Sequence, residues 1–444
     1  MQTNLATRPR IRFSVAVVSG ALLAILTLSM MAGAVAVPIG SGAGLAVGTA
    51  VHQAIASPSA SPLQREIDSA VPGSTIHLPP GLFVGQIVLA FNVTLLGAGV
   101  GKTIVEPAAT MNPDSLGNVF VIEIEQGATV QISAMTVRVT EQCMLANSIG
   151  VATGGGVGVR DNSTLNIWNV AVVAYGPSPN LDQPCTTGLD SPGMYSFGRA
   201  VSIGLDDPPG VGAAFQVEGH GTISHVHTQG FDIFSLSVGG VRGPSGSTAT
   251  ITNNIVLVGP GPYTAAYGIV AYGVSTISHN VVVGVPGSDG GIAVVFTSAL
   301  VTDNVIRNFT CTNAPFPITP PCGIDPLYDD QDLGIFLASI TPGTVVEHNA
   351  IYSVDAGILV EGPGAPATII HNTVRNSTFY GLDLIDANQT FEDDTVIGGP
   401  YGVAVGAANS NSTAVLLGDK LGGFTVGLAL LEANYPWVAN VIVL

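Results

Sequence analysis

Seven segments of this chain repeat one register, and that repetition limits the possible folds more than any other feature. Each reads as an apolar residue, two others, Asn or Asp, one other, then a second apolar residue. The centres are Asn254, Asn280, Asn304, Asn349, Asn372, Asp394 and Asp419. Neighbouring centres lie 22 to 26 residues apart, except for a gap of 45 after Asn304. A second marker, Gly plus an aliphatic residue, follows every centre: Gly268-Ile269, Gly291-Ile292, Gly334-Ile335, Gly357-Ile358, Gly381-Leu382, Gly402-Val403 and Gly427-Leu428. Short β-branched runs of period two, punctuated by Gly and Asn at this spacing, predict strands stacked coil on coil in an all-β solenoid. Asn suits the turn because it tolerates left-handed backbone, and stacked side-chain amides can hydrogen-bond between coils. Each coil buries its inward face only against its neighbours.

Earlier coils keep the phase with apolar residues in place of Asn. Ile132, Met135 and Val137 fit the register, as do Leu165, Trp168 and Val170. Thr222-Ile-Ser-His225 repeats as Thr276-Ile-Ser-His279, which puts Val226 where Asn280 stands. Long helices fit poorly, because the 56 Gly, 29 Pro and many β-branched residues disfavour them. With charged residues at only 9% and a formal charge of −18, the chain has no basic stripe to neutralise phosphates, which excludes nucleic acid as a partner.

The N-terminus reads as a targeting segment. Arg8, Arg10 and Arg12 precede an apolar run from Phe13 to Met31, followed by Ala34 and Ala36. That order is expected of a secretory signal over residues 1–36 with cleavage after Ala36, or of a membrane anchor if the long apolar run is retained. Residues 37–60 form a small-residue linker, and 61–444 form the exported body, secreted or at the cell surface. Cys143, Cys185, Cys311 and Cys322 fit an oxidising compartment. Cys311 and Cys322 bracket one Pro-rich segment, so they are expected to pair, leaving Cys143 with Cys185. No C-x-x-C spacing supports a zinc site instead.

The segment Leu63-Gln-Arg-Glu-Ile-Asp-Ser-Ala, then Pro72-Gly-Ser-Thr-Ile-His-Leu-Pro-Pro-Gly81, then Gln86-Ile-Val and Asn92-Val-Thr-Leu-Leu-Gly-Ala-Gly99, resembles the opening of pectin-lyase-like β-helix proteins. The resemblance spans roughly residues 61–444. It implies a single-stranded right-handed parallel β-helix with a short N-terminal helical cap. It does not choose a function, because that superfamily includes lyases, hydrolases, epimerases, phage tailspikes and surface proteins.

Several short motifs carry less than they first suggest. Gly97-Ala-Gly-Val-Gly-Lys102-Thr103 is one residue short of a phosphate-binding loop, and no helix pattern follows, so no nucleotide is expected. Gly219-His220-Gly221, with Asp206-Asp207 upstream, resembles the histidine motif and paired acids of the polygalacturonase branch, but that family's Asn-Thr-Asp and Arg-Ile-Lys motifs are absent. Gly323-Ile-Asp325-Pro326 resembles part of the alginate-epimerase motif. Cys322 and Leu327 stand where that family places its proton-transfer Tyr and His, and neither can replace them. Lyases of this fold need Arg or Lys beside clustered acids, and Arg307 and Arg375 are the best placed, although solvated charges are the simpler reading. Six Asn-x-Ser/Thr sites occur, including Asn162, Asn308 and Asn376, and matter only in a host that glycosylates.

The most informative feature is positional. Three consecutive coils carry extra residues between the ladder position and the Gly marker: 14 after Asn254, 11 after Asn280 and 30 after Asn304, against eight or nine in late coils. These extra residues should protrude from one corner and bring Tyr263, Tyr267, Asp289, Asp325, Tyr328, Asp329, Asp330 and Asp332 into one neighbourhood. Tyr263, Tyr267, Tyr328 and Asp289 are the expected ligand contacts, and Asp329, Asp330 and Asp332 the expected ligands of a Ca²⁺ ion if one binds. Asp325, Asp329 and Arg307 are the candidate catalytic groups if the chain is an enzyme. A polar column one residue before the ladder holds His225, Asn253, His279, Asp303, His348, His371 and Asp393. With coils about 4.8 Å apart, His348 and His371 are near enough to share a metal, and His225 and His227 are expected on one strand face. The resulting expectation is an exported β-helix that interacts with polysaccharide through corner loops. The alternatives are a divergent lyase, hydrolase or epimerase, and a structural stalk or adhesin whose apolar end Trp437-Val-Ala-Asn-Val-Ile-Val-Leu444 invites association.

Overall fold

In a computed structural model the described residues are 61–106, 119–125, 127–140, 154–159, 163–175, 213–217, 220–231, 234–238, 246–258, 267–284, 288, 290–310, 332–407, 410–433 and 438–444. Residues 1–60, where the targeting segment and linker are expected, and all four cysteines lie outside them. One helix, α1 (Pro62–Ser69), opens the body. Ser61 caps it, its Oγ accepting from the Gln64 N–H at 3.0 Å, and Pro62 occupies the first turn, where its missing N–H costs nothing. Leu63 and Ile67 are buried beneath it. The Gln64 side chain exchanges two hydrogen bonds with the Val88 backbone at 2.8 and 3.0 Å, pinning the helix to the first coil.

Every described strand belongs to one of three parallel ladders, because each coil contributes one strand, or half of a long bent one, to each. The first ladder runs from Thr75–His77 to Ala439–Val443 and stacks Ile223, Ile251, Ile277, Val301, Val346, Ile369 and Phe391 inward. The second stacks Val256, Val282, Ile306, Ile351, Val374, Val396 and Leu421. The third stacks Ile269, Ile292, Ile335, Ile358, Leu382, Val403 and Leu428. These are the flanking and marker residues of the repeat. Most are wholly buried, so one continuous core fills the coil interior.

The polar column before the ladder is where the backbone turns. His225, Asn253, His279, Asp303, His348, His371 and Asp393 all have φ between 51° and 59°, and Gly418 ends the column at 74°. Left-handed backbone falls on Asn, Asp and His most readily among residues with a side chain, which accounts for the column's composition. The expectation that the ladder Asn itself turns the chain is therefore corrected by one residue. The other two corners use the same device, with Asn308, Ser353 and Asn376 at one and Phe296, Ser339 and Asp386 at the other. The Asn-x-Ser/Thr sites at Asn308 and Asn376 are thus turn positions.

The ladder Asn side chains are buried and bonded throughout. Asn304 Oδ1 accepts from the Asn280 N–H and Nδ2 at 3.0 and 2.9 Å, while its Nδ2 donates to Ile277 O, Thr302 O and Asn349 Oδ1 at 2.8 to 3.0 Å. Asn254, Asn280, Asn349 and Asn372 repeat the inter-coil pattern. The Gly marker has an equally specific cause. A Cβ on Gly357 would meet Gly381 O at 2.3 Å and Val374 Cγ1 at 2.4 Å, and Gly268, Gly291, Gly334 and Gly381 are equally crowded by the next coil.

One register expectation fails. Ile132, Met135 and Val137 stack on Ile167, Val170 and Val172, so Val170 holds the ladder position and Trp168 points outward, 38% exposed. Asn169 takes the left-handed turn at φ 51°. Alternating apolar residues on both sides of that turn make a shift of two invisible to a period-two pattern. At the opposite end, Leu428, Leu430, Val438, Ile442, Val443 and Leu444 are exposed on the last coil.

Where the ladder ends, Asp394 and Asp419 replace Asn. Asp394 Oδ1 accepts from the Asn372 N–H at 2.6 Å, but Oδ2, which stands where Asn has its donor, is buried without a partner. Burial is the largest cause pushing the Asp394 pKa up to about 7, with the Asn372 bonds opposing and Asp419 adding to the rise. A folded pKa raised from 3.8 means that stability is fullest below that ordinary value and is lost as pH rises through about 7. Asp394→Asn restores the donor, and it is expected to flatten this decline and raise stability at pH 8 by about 2 kcal/mol. Urea unfolding at pH 5 and 8 checks it: an unchanged pH slope counts against the assignment.

Candidate functional site

The three inserted segments all leave the second ladder and enter the third. Their flanking described strands are Ile255–Val258 to Tyr267–Ala271, Val281–Val283 to Gly290–Val295, and Val305–Phe309 to Leu333–Ala338. The described strands on either side of each insertion thus flank the same corner, between the second and third ladders. Tyr263, Asp289, Asp325, Tyr328, Asp329 and Asp330 lie outside the described residues, so Tyr267, Asp332 and Arg307 are the predicted site residues the structure places.

Tyr267 heads an outward column that continues through Gly290, Leu333, Ala356, Tyr380 and Tyr401. The next outward column holds Val270, Ala293, Phe336, Leu359, Asp383 and Ala404. Tyr267 stacks on Phe336 with centroids 6.4 Å apart, and Tyr380 tilts against Tyr401 at 5.4 Å. Leu333, Ala356, Leu359, Tyr380 and Ala404 make a second buried apolar cluster outside the coil interior. An outer sheet face would ordinarily be polar and wet, so this apolar, aromatic face is distinctive.

Carboxylates border and enter it. Asp332 and Asp355 are both buried and sit one coil apart, the Asp355 N–H donating to Asp332 O at 2.9 Å. The Thr378 hydroxyl donates to Asp355 Oδ1. Asp383 is 1% exposed, and no side chain hydrogen-bonds to either of its oxygens. Burial pushes its pKa up to about 7, the Leu384 amide opposes this, and Glu361 adds to the rise. Glu361 is itself raised, first by desolvation and then by the charge of Asp386. A carboxyl group poised near neutrality can give or take a proton at ordinary pH.

Arg307 is elsewhere, on the exposed outer face of the second ladder in a column with Tyr352 and Arg375. Among the described residues no group of three or more His, Cys, Asp or Glu is placed to hold a metal ion. His348 and His371 are adjacent as expected, but their rings stack face to face, 5.2 Å apart and 11° from parallel. Their in-plane lone pairs run side by side and do not converge on one ion. His279 with Asp303 and His371 with Asp393 form exposed contacts at 3.8 and 3.7 Å. His225 and His227 do not share a strand face, because the turn at His225 separates them. His220 lies on the outer face of the first ladder, and Asp206 and Asp207, its companions in the polygalacturonase-like motif, lie outside the described residues. Gly97–Thr103 is a turn leading into strand Thr103–Glu106.

The family described as the right handed beta helix region matches residues 239–416. A search of curated proteins by sequence returns no match. Among solved structures, the chain is similar to the periplasmic alginate epimerase AlgG at 13% identity and a TM-score of 0.43, covering 84% of this chain and 85% of that one. It is similar to the A-module of mannuronan C-5 epimerase AlgE4 from Azotobacter vinelandii at 13% identity and a TM-score of 0.41, covering 84% and 93%. It also resembles an alginate lyase from Paenibacillus at 13% identity and a TM-score of 0.34, covering 84% and 96%. These are likenesses of fold. With the matched region set among coils that continue the same three ladders on either side, the chain has the fold of a right-handed parallel β-helix repeat protein.

Proposed function

We propose that this is an exported protein that binds polysaccharide along the outer face of the third ladder, between the loops of residues 258–333. The observation that supports the reading is that the strands flanking all three insertions border one corner, beside an aromatic, acid-lined face. Aromatic faces stack on sugar rings through their apolar side, and carboxylates accept hydrogen bonds from hydroxyls, so the combination suits a glycan. Tyr263, Tyr328 and Asp289 extend that patch in this reading, and Asp329 and Asp330 would hold Ca²⁺ with Asp332.

Affinity electrophoresis through gels containing acidic or neutral polysaccharide tests the reading. Retardation by a polymer is expected to weaken by about tenfold in apparent affinity for Tyr267→Ala or Tyr401→Ala. Retardation that both variants leave unchanged places binding elsewhere and contradicts the site.

A second reading, catalysis, is favoured by one residue. Asp383 is buried, without a side-chain hydrogen bond, and pushed up to about 7, which suits a general acid in a site that closes around substrate. If the polymer is shortened or epimerised, Asp383→Asn is expected to lower turnover by about 10²- to 10⁴-fold while the fold persists. Turnover within twofold of the parent would remove Asp383 from the chemistry.

A further inference from the structure

The outer face of the first ladder is unlike that of the third. Across strands Thr164–Tyr175, His220–Ser224, Thr248–Thr252 and Val274–Ser278 it is mostly polar, with exposed Val274 the apolar exception and Ser278 buried at its edge. Register puts Asn166, Thr222, Thr250 and Thr276 in one outward column, and Ser224, Thr252 and Ser278 in the next beside Trp168. A shallow depression of about 260 Å³ lies over the first of these columns, with His220 and Thr248 on its floor. His220 Nδ1 and Thr248 Oγ1 are 2.7 Å apart, so the imidazole is already held in one orientation. Trp168 stands at the border of this grid, exposed where a tryptophan ordinarily packs inward.

We propose that this face is a second glycan-binding surface, and that its ligand is a neutral polysaccharide chain. Hydroxyls about 4.8 Å apart between coils and about 6.7 Å apart along a strand form a grid of groups that both donate and accept. That dual character matches sugar hydroxyls, which also do both, and suits no single-sign ion. An exposed indole beside the grid supplies an apolar plate for a sugar ring's carbon–hydrogen face. Charge decides between neutral and acidic chains. No Lys or Arg stands among the grid positions named, and the chain's formal charge of −18 repels a polyanion from a surface that offers it no cation. The face is separate from the third-ladder site and does not depend on it.

The chain has two tryptophans, so Trp437→Phe leaves Trp168 as the sole indole reporter. The full chain carrying that change is titrated with neutral gluco-, manno- and xylo-hexasaccharides and with a uronate hexasaccharide. The expected result is a saturable blue shift of tryptophan emission with at least one neutral sugar and none with the uronate. Adding Thr222→Val and Thr250→Val removes hydroxyls but keeps β-branched, exposed positions, and it should weaken that binding by about tenfold or more. Tyr401→Ala should leave the shift unchanged, which separates this surface from the third-ladder site. No shift with any neutral sugar overturns the proposal, as does a shift that survives the double substitution. If Trp437→Phe disturbs folding, calorimetry of the unaltered chain with the same sugars, with and without the two threonine changes, decides it by the same criteria.

Discussion

Replacing Asn304 with Ala is expected to lower folding stability by about 3–5 kcal/mol, among the largest effects of any single change in this chain. Asn304 sits mid-ladder, wholly buried, and joins three coils. Removing its amide orphans the Asn280 N–H and takes a donor from Ile277 O, while Asn280 Nδ2 keeps only Ile251 O and Asn349 Oδ1 keeps only the Asn304 N–H. Each orphaned buried group costs about 1–3 kcal/mol, and partial relaxation keeps the sum below a simple total. Urea unfolding followed by circular dichroism measures it. A loss under about 1 kcal/mol would mean that the stacked amides are incidental to the coil.

Gly357→Ala is expected to cost about 3 kcal/mol, the upper end of ordinary overpacking. The added carbon would lie 2.3 Å from a backbone oxygen of the next coil, Gly381 O, which cannot move aside alone. Gly427 occupies the same marker position on the last described strand of the third ladder, and a Cβ there meets nothing within 4 Å. Gly427→Ala should therefore be neutral or stabilise by up to about 0.5–1 kcal/mol, through the entropy a glycine loses on folding. Equal costs for the two would refute the claim that the glycine column exists to admit the neighbouring coil.

These two predictions mark what could be read from the chain before any coordinates. The Asn and Gly columns were legible because each reports a requirement repeated in successive coils: a buried amide and a missing Cβ. The common corner of the three insertions followed from the same phase. The Trp168 position was not legible, since a turn between two alternating runs permits a shift of two residues without changing the pattern. Asp383 was also missed. Its neighbours Leu382 and Leu384 pack inward, so the alternation places Asp383 outward, where a carboxylate is unremarkable. Nothing in the local pattern says that this outer face is itself buried. A signal did exist for its aromatic border: Tyr267, Tyr380 and Tyr401 each immediately precede a Gly marker, and so had to stack in one column. The sequence assigns the turn to the ladder Asn, and the turn lies one residue earlier, in the polar column, because left-handed backbone selects Asn, Asp and His.

The His column follows the same logic and needs no ligand to account for it. The stack of His348 on His371 is what coil spacing imposes on two identical rings in successive left-handed turns. The buried carboxylates differ, since a fold selected for stability alone gains nothing from Asp383 held without a side-chain partner. In the proposed reading Asp383 belongs to a working face and not to a passive stalk.

The most direct test of that working face is size-exclusion chromatography of the full chain with a panel of acidic and neutral polysaccharides in the presence of Ca²⁺, following protein and polymer separately. Polysaccharide recognition requires the protein to move to the elution position of at least one polymer. A polymer that also shortens would make the protein a catalyst acting at the same face. A protein peak that stays in place with every polymer would contradict the account and leave a structural stalk, associating through its exposed last coil, as the reading to pursue.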